Sequence, residues 1–180
     1  MDLSPITEDL IIGTTPVPQD YPRLRDLGVR LVINMRFEHR PRPDLHQPPL
    51  NFLWLPTIDS PLLVIPIRFL MRGVQAALET IRSGGKVYAH CAGGRHRGVA
   101  MGASILIAQG YKPEAAMKLI KARRPFADPD IFYIRGRILR FARVWPRAET
   151  GTTTQAFTLQ PISPPSPRRR PRSLPPPRTI

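Results

Sequence analysis

A short glycine-rich turn between two apolar runs constrains the fold of this chain more than any other feature. The turn, residues 90–98, reads HCAGGRHRG and contains Cys91, the only cysteine of the 180 residues. Residues 87–90 predict a strand in the centre of a sheet, and residues 99–108 predict a helix that is apolar on nearly every side. Successive N–H groups of such a turn point into one concavity at a helix N-terminus, which is a binding site for an anion.

The side chains of the turn predict a nucleophile beside that anion site. Cys91 begins the turn and Arg97 ends it, and the positive field around them favours the thiolate form of the cysteine. A guanidinium is planar and holds two oxygens of a phosphoryl group, while backbone N–H groups bind the other oxygens. The glycines permit the backbone angles that this arrangement needs. The predicted phosphate-binding residues are Ala92, Gly93, Gly94, Arg95, His96 and Arg97.

The segment from Cys91 to Arg97 has the pattern C-x5-R, and it resembles the phosphate loop of the cysteine-dependent protein tyrosine and dual-specificity phosphatases. The resemblance extends over residues 6–145. Residues 6–13 look like the amino-terminal part of dual-specificity phosphatases, and Arg123-Arg124-Pro125 with the aspartate-rich turn after it is similar to their carboxy-terminal part. The loop sequence GRHR is also similar to that of atypical phosphatases of the plant and fungal type, which act on inositol pyrophosphates.

The resemblance implies a role for each candidate site residue. Cys91 would be the nucleophile, and Arg97 would bind the phosphoryl oxygens through the transition state. Asp59 lies one helix and one strand upstream of Cys91, where the family has its general acid, and Asp44 is the alternative acid. His90 would fix the loop by hydrogen bonding. We expect no cofactor and no metal, since no cluster of residues has the spacing of metal ligands.

One position departs from the family pattern. The family has a serine or threonine directly after the loop arginine, and its hydroxyl helps the thiolate leave the phosphocysteine. Here that position is Gly98. The residues that the first chemical step requires are all present, so the departure predicts slow breakdown of the intermediate and intact binding.

The apolar periodicity along the chain predicts an α/β fold. We expect the sandwich typical of protein tyrosine phosphatases, with a central, mostly parallel sheet flanked by helices and a disordered carboxy-terminal tail. Strands are predicted at residues 10–12, 29–35, 51–55 and 87–90. Helices are predicted after a cap at Asp20, at residues 66–83 and 99–108, from Pro113 onwards, and after a cap at Asp128.

The composition divides the chain into two parts. Residues 1–147 are predicted to form the catalytic domain, and residues 148–180 are rich in proline and arginine, which predicts a disordered tail. The net charge of +14 favours anionic partners. The tail could contact an anionic surface or present polyproline segments to a proline-recognising module. The single cysteine excludes an intramolecular disulfide, and the sequence shows neither a secretory signal nor a membrane span, so we expect a cytoplasmic monomer.

These observations predict a phosphatase that hydrolyses phosphomonoesters through a phosphocysteine intermediate. A phosphorylated protein is the expected substrate, as for protein tyrosine and dual-specificity phosphatases. The basic residues Arg95 and His96 leave inositol phosphates, phosphoinositides and an RNA 5′-phosphate as alternatives. A hypothesis of another class is a phosphate-binding interaction module with little catalytic activity, which Gly98 and the basic tail suggest.

Overall fold

Short apolar runs, each followed by a turn, form one five-stranded sheet. The computed structural model describes residues 1–146. The strands are β1 (Leu3–Pro5), β2 (Leu10–Gly13), β3 (Val29–Arg36), β4 (Asn51–Thr57) and β5 (Lys86–His90). They pair in the order β1-β2-β5-β3-β4; β1 is antiparallel to β2, and the other neighbours are parallel. The predicted central strand and the mostly parallel sheet are therefore confirmed.

Helices cover both faces of the sheet, which confirms the predicted α/β class. The helices are α1 (Tyr21–Asp26), α2 (Ile67–Arg82), α3 (Arg97–Ala108), α4 (Pro113–Arg123) and α5 (Phe132–Val144). Helix α3 is the central one, since residues 97–106 are all buried and it packs against α2, α4 and α5. This burial explains why its sequence is apolar on nearly every side.

Successive side chains of a strand point to opposite faces of the sheet, and this divides the core into two layers. On one face, Leu31, Ile33 and Met35 of β3 pack with the apolar residues of α2 to α5 in the larger cluster. On the other face, Val32 belongs to a smaller cluster with Leu24 of α1. The sheet is thus buried on both faces, as expected for parallel strands.

The carboxyl ends of the parallel strands meet at one edge of the sheet. Gly13 at the end of β2 and Asn34 of β3 both pair with His90, the last residue of β5. The segments that follow β2, β3, β4 and β5 therefore leave the sheet side by side. In open α/β sheets this edge is where ligands bind, and Cys91 is the first residue beyond it.

Three local features differ from the sequence predictions. Strand β1 was not predicted, because three residues ending in Pro5 are too few to show a period; a proline is tolerated at such an edge position. The carboxylate of Asp20 does not cap α1 but accepts the N–H of Val17, and so closes the turn before the helix. Asp128 likewise accepts the N–H of Ile131, and α5 begins one residue after that.

The predicted tail, residues 148–180, lies outside the described residues. None of the helices within residues 1–146 combines the length and the apolar character that crossing a bilayer requires.

Candidate active site

Cys91 lies at the start of the loop between β5 and α3, with 1% of its surface exposed. Its carbonyl accepts the hydroxyl of Thr15, which follows β2, at 3.1 Å. That hydroxyl in turn accepts a guanidinium N–H of Arg36, the last residue of β3, at 2.9 Å. The backbone of the cysteine is thus tied to the two strands on either side of β5.

Three successive carbonyl groups of the loop face away from its N–H groups. The guanidinium of Arg124 donates Nε–H to the carbonyl of Gly94 at 2.9 Å and Nη2–H to that of Gly93 at 3.1 Å. The N–H of Asp128 donates to the carbonyl of Arg95 at 2.9 Å. The N–H and C=O of a trans peptide point in opposite directions. The N–H groups of the three residues after these carbonyls therefore point to the side of the loop away from Arg124, and form a row of donors for an anion.

Arg124 is itself held in place from the amino terminus of the chain. It is 1% exposed, and it donates to the Asp2 carboxylate at 2.8 Å and to the Ser4 hydroxyl at 3.1 Å. Strand β1 brings these two acceptors to the loop. In the sequence, Arg124 stands out only as part of the Arg123-Arg124-Pro125 segment that resembles the carboxy-terminal part of the family, and an arginine before Pro125 gives no sign of its burial.

Two glycines allow the loop to approach its neighbours closely. Gly94 has a φ of +63°, and a Cβ there would lie 2.6 Å from the carbonyl oxygen of Gly13. A Cβ on Gly98 would lie 3.1 Å from the carbonyl carbon of His90 and 3.2 Å from the nitrogen of Cys91. A serine at position 98 would therefore press on the strand end that carries the cysteine.

The guanidinium of Arg97 is buried at the start of α3 and is anchored along one edge. Its Nη1 donates to the Thr57 carbonyl at 2.6 Å and lies 3.4 Å from that of Met35. The Nη2 group lies 3.4 Å from the carboxylate of Glu38. The Nε–H is buried, yet no acceptor among residues 1–146 hydrogen-bonds to it. The edge formed by Nε and Nη2 is the one with which a guanidinium holds two oxygens of a phosphoryl group.

Glu38 supplies a negative charge beside Arg97. Burial alone would raise the pKa of Glu38, but hydrogen bonds from its own N–H, from Arg36 and from Arg97 lower it to about 2. The carboxylate is therefore ionised at any physiological pH. Its side chain is half exposed, so it orients the guanidinium without closing the site.

Asp59 belongs to a cluster of three side chains at the opening of the loop. Its Oδ2 lies 3.1 Å from Nδ1 of His96, and its Oδ1 accepts the hydroxyl of Tyr133 at 2.9 Å. Nε of Arg97 is 3.7 Å from the same carboxylate. Burial and the hydrogen bond to Asp59 raise the pKa of Tyr133 to about 12, so the phenol keeps its proton and donates. The cluster fixes the carboxyl group of Asp59 beside the buried guanidinium.

His90 is neutral at physiological pH, because burial lowers its pKa to about 4. It is stacked on Tyr88, with ring centroids 5.7 Å apart, and its Nδ1 lies 3.4 Å from the carbonyl of Cys91. A neutral imidazole at the end of β5 is consistent with a structural part in holding the loop.

The structure brings most of the candidate residues together. The segment from His90 to Arg97 and the carboxyl of Asp59 lie at one site, and Ala92, Gly93 and Arg95 form its solvent-exposed part. Asp44 lies elsewhere: its carboxylate binds Arg25 of α1 and the N–H of Leu50. Sequence reasoning missed Glu38, Arg124 and Tyr133, which lie far from the loop in sequence. Within the described residues, the structure shows no group of three or more His, Cys, Asp or Glu side chains that could hold a metal ion.

The chain is similar in structure to dual-specificity phosphatases, which confirms the resemblance seen in the sequence. Human DUSP28 matches with a TM-score of 0.70 and 20% identity, over 78% of this chain and 93% of that one. PTPMT1 matches with a TM-score of 0.70 and 28% identity, over 79% of this chain and 94% of that one. The structure of PTPMT1 in complex with PI(5)P matches with a TM-score of 0.68 and 28% identity, over 77% of this chain and 92% of that one. No family model matches the sequence, and a search of curated proteins found no match.

The first expected outcome concerns Arg124. Changing Arg124→Ala removes the donors of the buried Gly94 carbonyl and of the partly buried Gly93 carbonyl, and each buried polar group left unpaired costs about 1–3 kcal/mol. We expect the free energy of unfolding to fall by about 3 kcal/mol, and inorganic phosphate to bind more weakly. Urea titration and calorimetry measure the two effects. The matched control is Arg123→Ala at the exposed neighbouring position; equal losses in both variants would show that Arg124 does not organise the loop.

Proposed function

We propose that this protein is a cysteine-dependent phosphatase that hydrolyses phosphomonoesters through a phosphocysteine intermediate. The observation that supports this most directly is the buried guanidinium of Arg97, whose Nε–H lacks an acceptor among the described residues beside a row of loop N–H groups. A buried donor without a partner is costly and indicates a ligand that completes it. The phosphatase fold and the position of Cys91 in the same loop support a phosphoryl group as that ligand.

In the first step, the sulfur of Cys91 attacks the phosphorus atom. The S–P bond forms while the ester P–O bond breaks, and the departing oxygen takes a proton from the carboxyl group of Asp59. Negative charge on the phosphoryl oxygens is stabilised by the Nε and Nη2 edge of Arg97 and by the loop N–H groups. Nε of Arg97 and Nδ1 of His96 lie 3.7 Å and 3.1 Å from the same carboxyl oxygen of Asp59, so the proposed proton donor is held beside the proposed phosphoryl site.

In the second step, the Asp59 carboxylate takes a proton from water, whose oxygen attacks the phosphorus atom. The S–P bond then breaks, and the thiolate of Cys91 leaves with the electron pair. Gly98 offers no hydroxyl to stabilise that thiolate. The intermediate should therefore persist longer than in a loop that has serine or threonine at this position.

A phosphorylated protein is one candidate substrate, because the neighbours in structure include dual-specificity phosphatases. A phosphoinositide is the second, and a specific observation favours it. PTPMT1, which is 28% identical over most of this chain, has been solved in complex with PI(5)P. Both substrates present a phosphomonoester to the same loop.

Replacing the nucleophile tests the proposed chemistry. Cys91→Ser should abolish turnover of an aryl phosphate, since a hydroxyl at this position is far less ionised than a thiol, while inorganic phosphate should still bind. A divalent-metal chelator should leave the rate of the wild-type protein unchanged. Turnover that survives in Cys91→Ser would contradict the mechanism. Phosphate binding without turnover in the wild-type protein would favour the interaction module.

The role of Asp59 is tested by the leaving group. Loss of a general acid costs about 10²–10⁴-fold in rate, and the cost is greatest when the departing oxygen is a poor leaving group. Asp59→Asn should therefore slow the hydrolysis of alkyl phosphates far more than that of an activated aryl phosphate. Asp44→Asn is the control, because Asp44 pairs with α1 outside the site. A leaving-group effect in the control variant would transfer the role to Asp44.

Tyr133 acts through Asp59 as a positioning residue, so its variant has a distinct signature. A hydrogen bond to a charged group contributes about 1.5–3 kcal/mol, and Tyr133→Phe should lower kcat for alkyl phosphates by about tenfold or more. In the Asp59→Asn background the same change should have little further effect. Tyr111→Phe is the matched control, beyond the carboxyl end of α3. Independent, additive losses would show that Tyr133 does not act through Asp59.

A further inference from the structure

Large apolar side chains are exposed on the loops that surround the phosphate loop. Leu62 is 89% exposed, Phe126 and Phe132 are each 72% exposed, and Phe37 is 60% exposed. Single exposed apolar residues are ordinary on a protein surface, but their concentration around one site indicates a binding surface. We refer to these residues as the apolar rim: Phe37, Leu62, Leu63, Val64, Phe126 and Phe132.

Two parts of the apolar rim are joined to the candidate acid. Residues 62–64 follow Asp59 in the segment between β4 and α2. Phe132 packs edge-on against Tyr133 with ring centroids 5.6 Å apart, and the hydroxyl of Tyr133 binds Asp59. These apolar side chains therefore lie on the two segments that meet at the Asp59 carboxyl.

The other two parts are joined to the loop and its arginine. The N–H of Phe37 donates to the carbonyl of Thr57, which also accepts Arg97. Phe126 precedes Asp128 by two residues, and the N–H of Asp128 binds the phosphate loop. The apolar rim is thus placed around the site from several separate segments of the chain.

The charges beside the apolar rim are basic. Residues 60–78 contain no acidic side chain, and they include Arg68 and Arg72, which are exposed and share one face of α2 because they are four residues apart. Arg95 of the phosphate loop is also exposed. Of the acidic groups nearby, Glu38 pairs with Arg36 at 2.8 Å, Asp59 with Arg97 at 3.7 Å and Asp130 with Arg135 at 3.0 Å, while Asp128 accepts the N–H of Ile131. The chain as a whole carries a net charge of +14.

The exposed apolar side chains of the rim, together with the exposed arginines Arg68, Arg72 and Arg95, match the surface of an anionic phospholipid bilayer. Side chains that insert at the boundary between headgroups and acyl chains gain from apolar burial, and basic residues gain from anionic headgroups. A folded protein partner would instead need a complementary pocket for each of several apolar side chains that project from separate loops. These side chains surround a site proposed to bind a phosphomonoester, which a phospholipid headgroup can carry.

We infer that the apolar rim docks on the surface of an anionic phospholipid bilayer, and that the phosphomonoester reaching Cys91 is carried by a lipid headgroup. This inference rests on the proposed phosphatase function and specifies how its substrate is presented. It places Leu62 and its neighbours in the interfacial region, with Arg68, Arg72 and Arg95 at the level of the lipid phosphates.

The test is flotation of the full chain with phospholipid vesicles. The wild-type protein should float with vesicles of phosphatidylcholine and phosphatidylserine, and less with phosphatidylcholine alone. Leu62→Asp should lower the partition coefficient by about tenfold or more, since it replaces an inserting side chain by a carboxylate. Leu45→Asp is the matched control: Leu45 is 91% exposed, but its neighbour Asp44 pairs with α1 outside the site. Every variant carries the same tail, so the difference between their partition coefficients measures the contribution of the apolar rim to membrane binding.

Three results would overturn the inference. One is equal flotation of Leu62→Asp and Leu45→Asp, and another is a wild-type protein that does not float with either kind of vesicle. The third is a Leu62→Asp variant that floats normally but loses turnover of phosphotyrosine peptides, which would assign the surface to a protein partner. Hydrolysis of a soluble aryl phosphate by the wild-type protein is measured separately. It tests the phosphatase proposal without vesicles, so the two proposals fail independently.

Discussion

The contact between Arg124 and the phosphate loop is the interaction on which the rest of the site depends. The guanidinium turns the carbonyl groups of Gly93 and Gly94 to one side, and this places the following N–H groups on the other. Asp2 of the amino-terminal segment neutralises the buried arginine. A residue near the amino terminus and a residue directly after α4 therefore act together to orient a loop that is distant from both in the sequence. The proposed anion site thus depends on tertiary contacts and not on the loop alone.

Charge is arranged around Arg97 so that one edge of its guanidinium is fixed and the other is available. The carbonyl of Thr57 and the carboxylate of Glu38 hold the fixed side. The carboxyl of Asp59 approaches Nε to 3.7 Å and is held by His96 and Tyr133. A phosphoryl group held on the Nε and Nη2 edge would be close to both the charge that stabilises it and the proposed proton donor. The proposed binding edge and the proposed proton donor therefore meet at a single arginine.

The sequence predicts what is local and misses what depends on tertiary contacts. The loop from Cys91 to Arg97 was predicted because its strand, glycines and helix are contiguous, and the parallel sheet followed from apolar runs. The link from Arg124 to Asp2 was not predicted, because it joins residues 122 positions apart through a strand too short to show a period. Tyr133 precedes Ile134, a buried residue of α5, and nothing in the sequence indicates that its hydroxyl reaches Asp59, 74 positions away. The predicted cap at Asp20 was wrong, because its carboxylate accepts the N–H of Val17 and not an N–H of α1.

The central claim is that the thiol of Cys91 carries the phosphoryl group during turnover. It is tested most directly by quenching a single turnover of an aryl phosphate in acid and mapping the chain by mass spectrometry. We expect one phosphoryl group on the peptide that contains Cys91, in an amount close to one per chain, since a loop without a hydroxyl at position 98 is expected to break the intermediate down slowly. Product release in a full first turnover with no phosphorylated Cys91, or with the phosphoryl group on another residue, would contradict it.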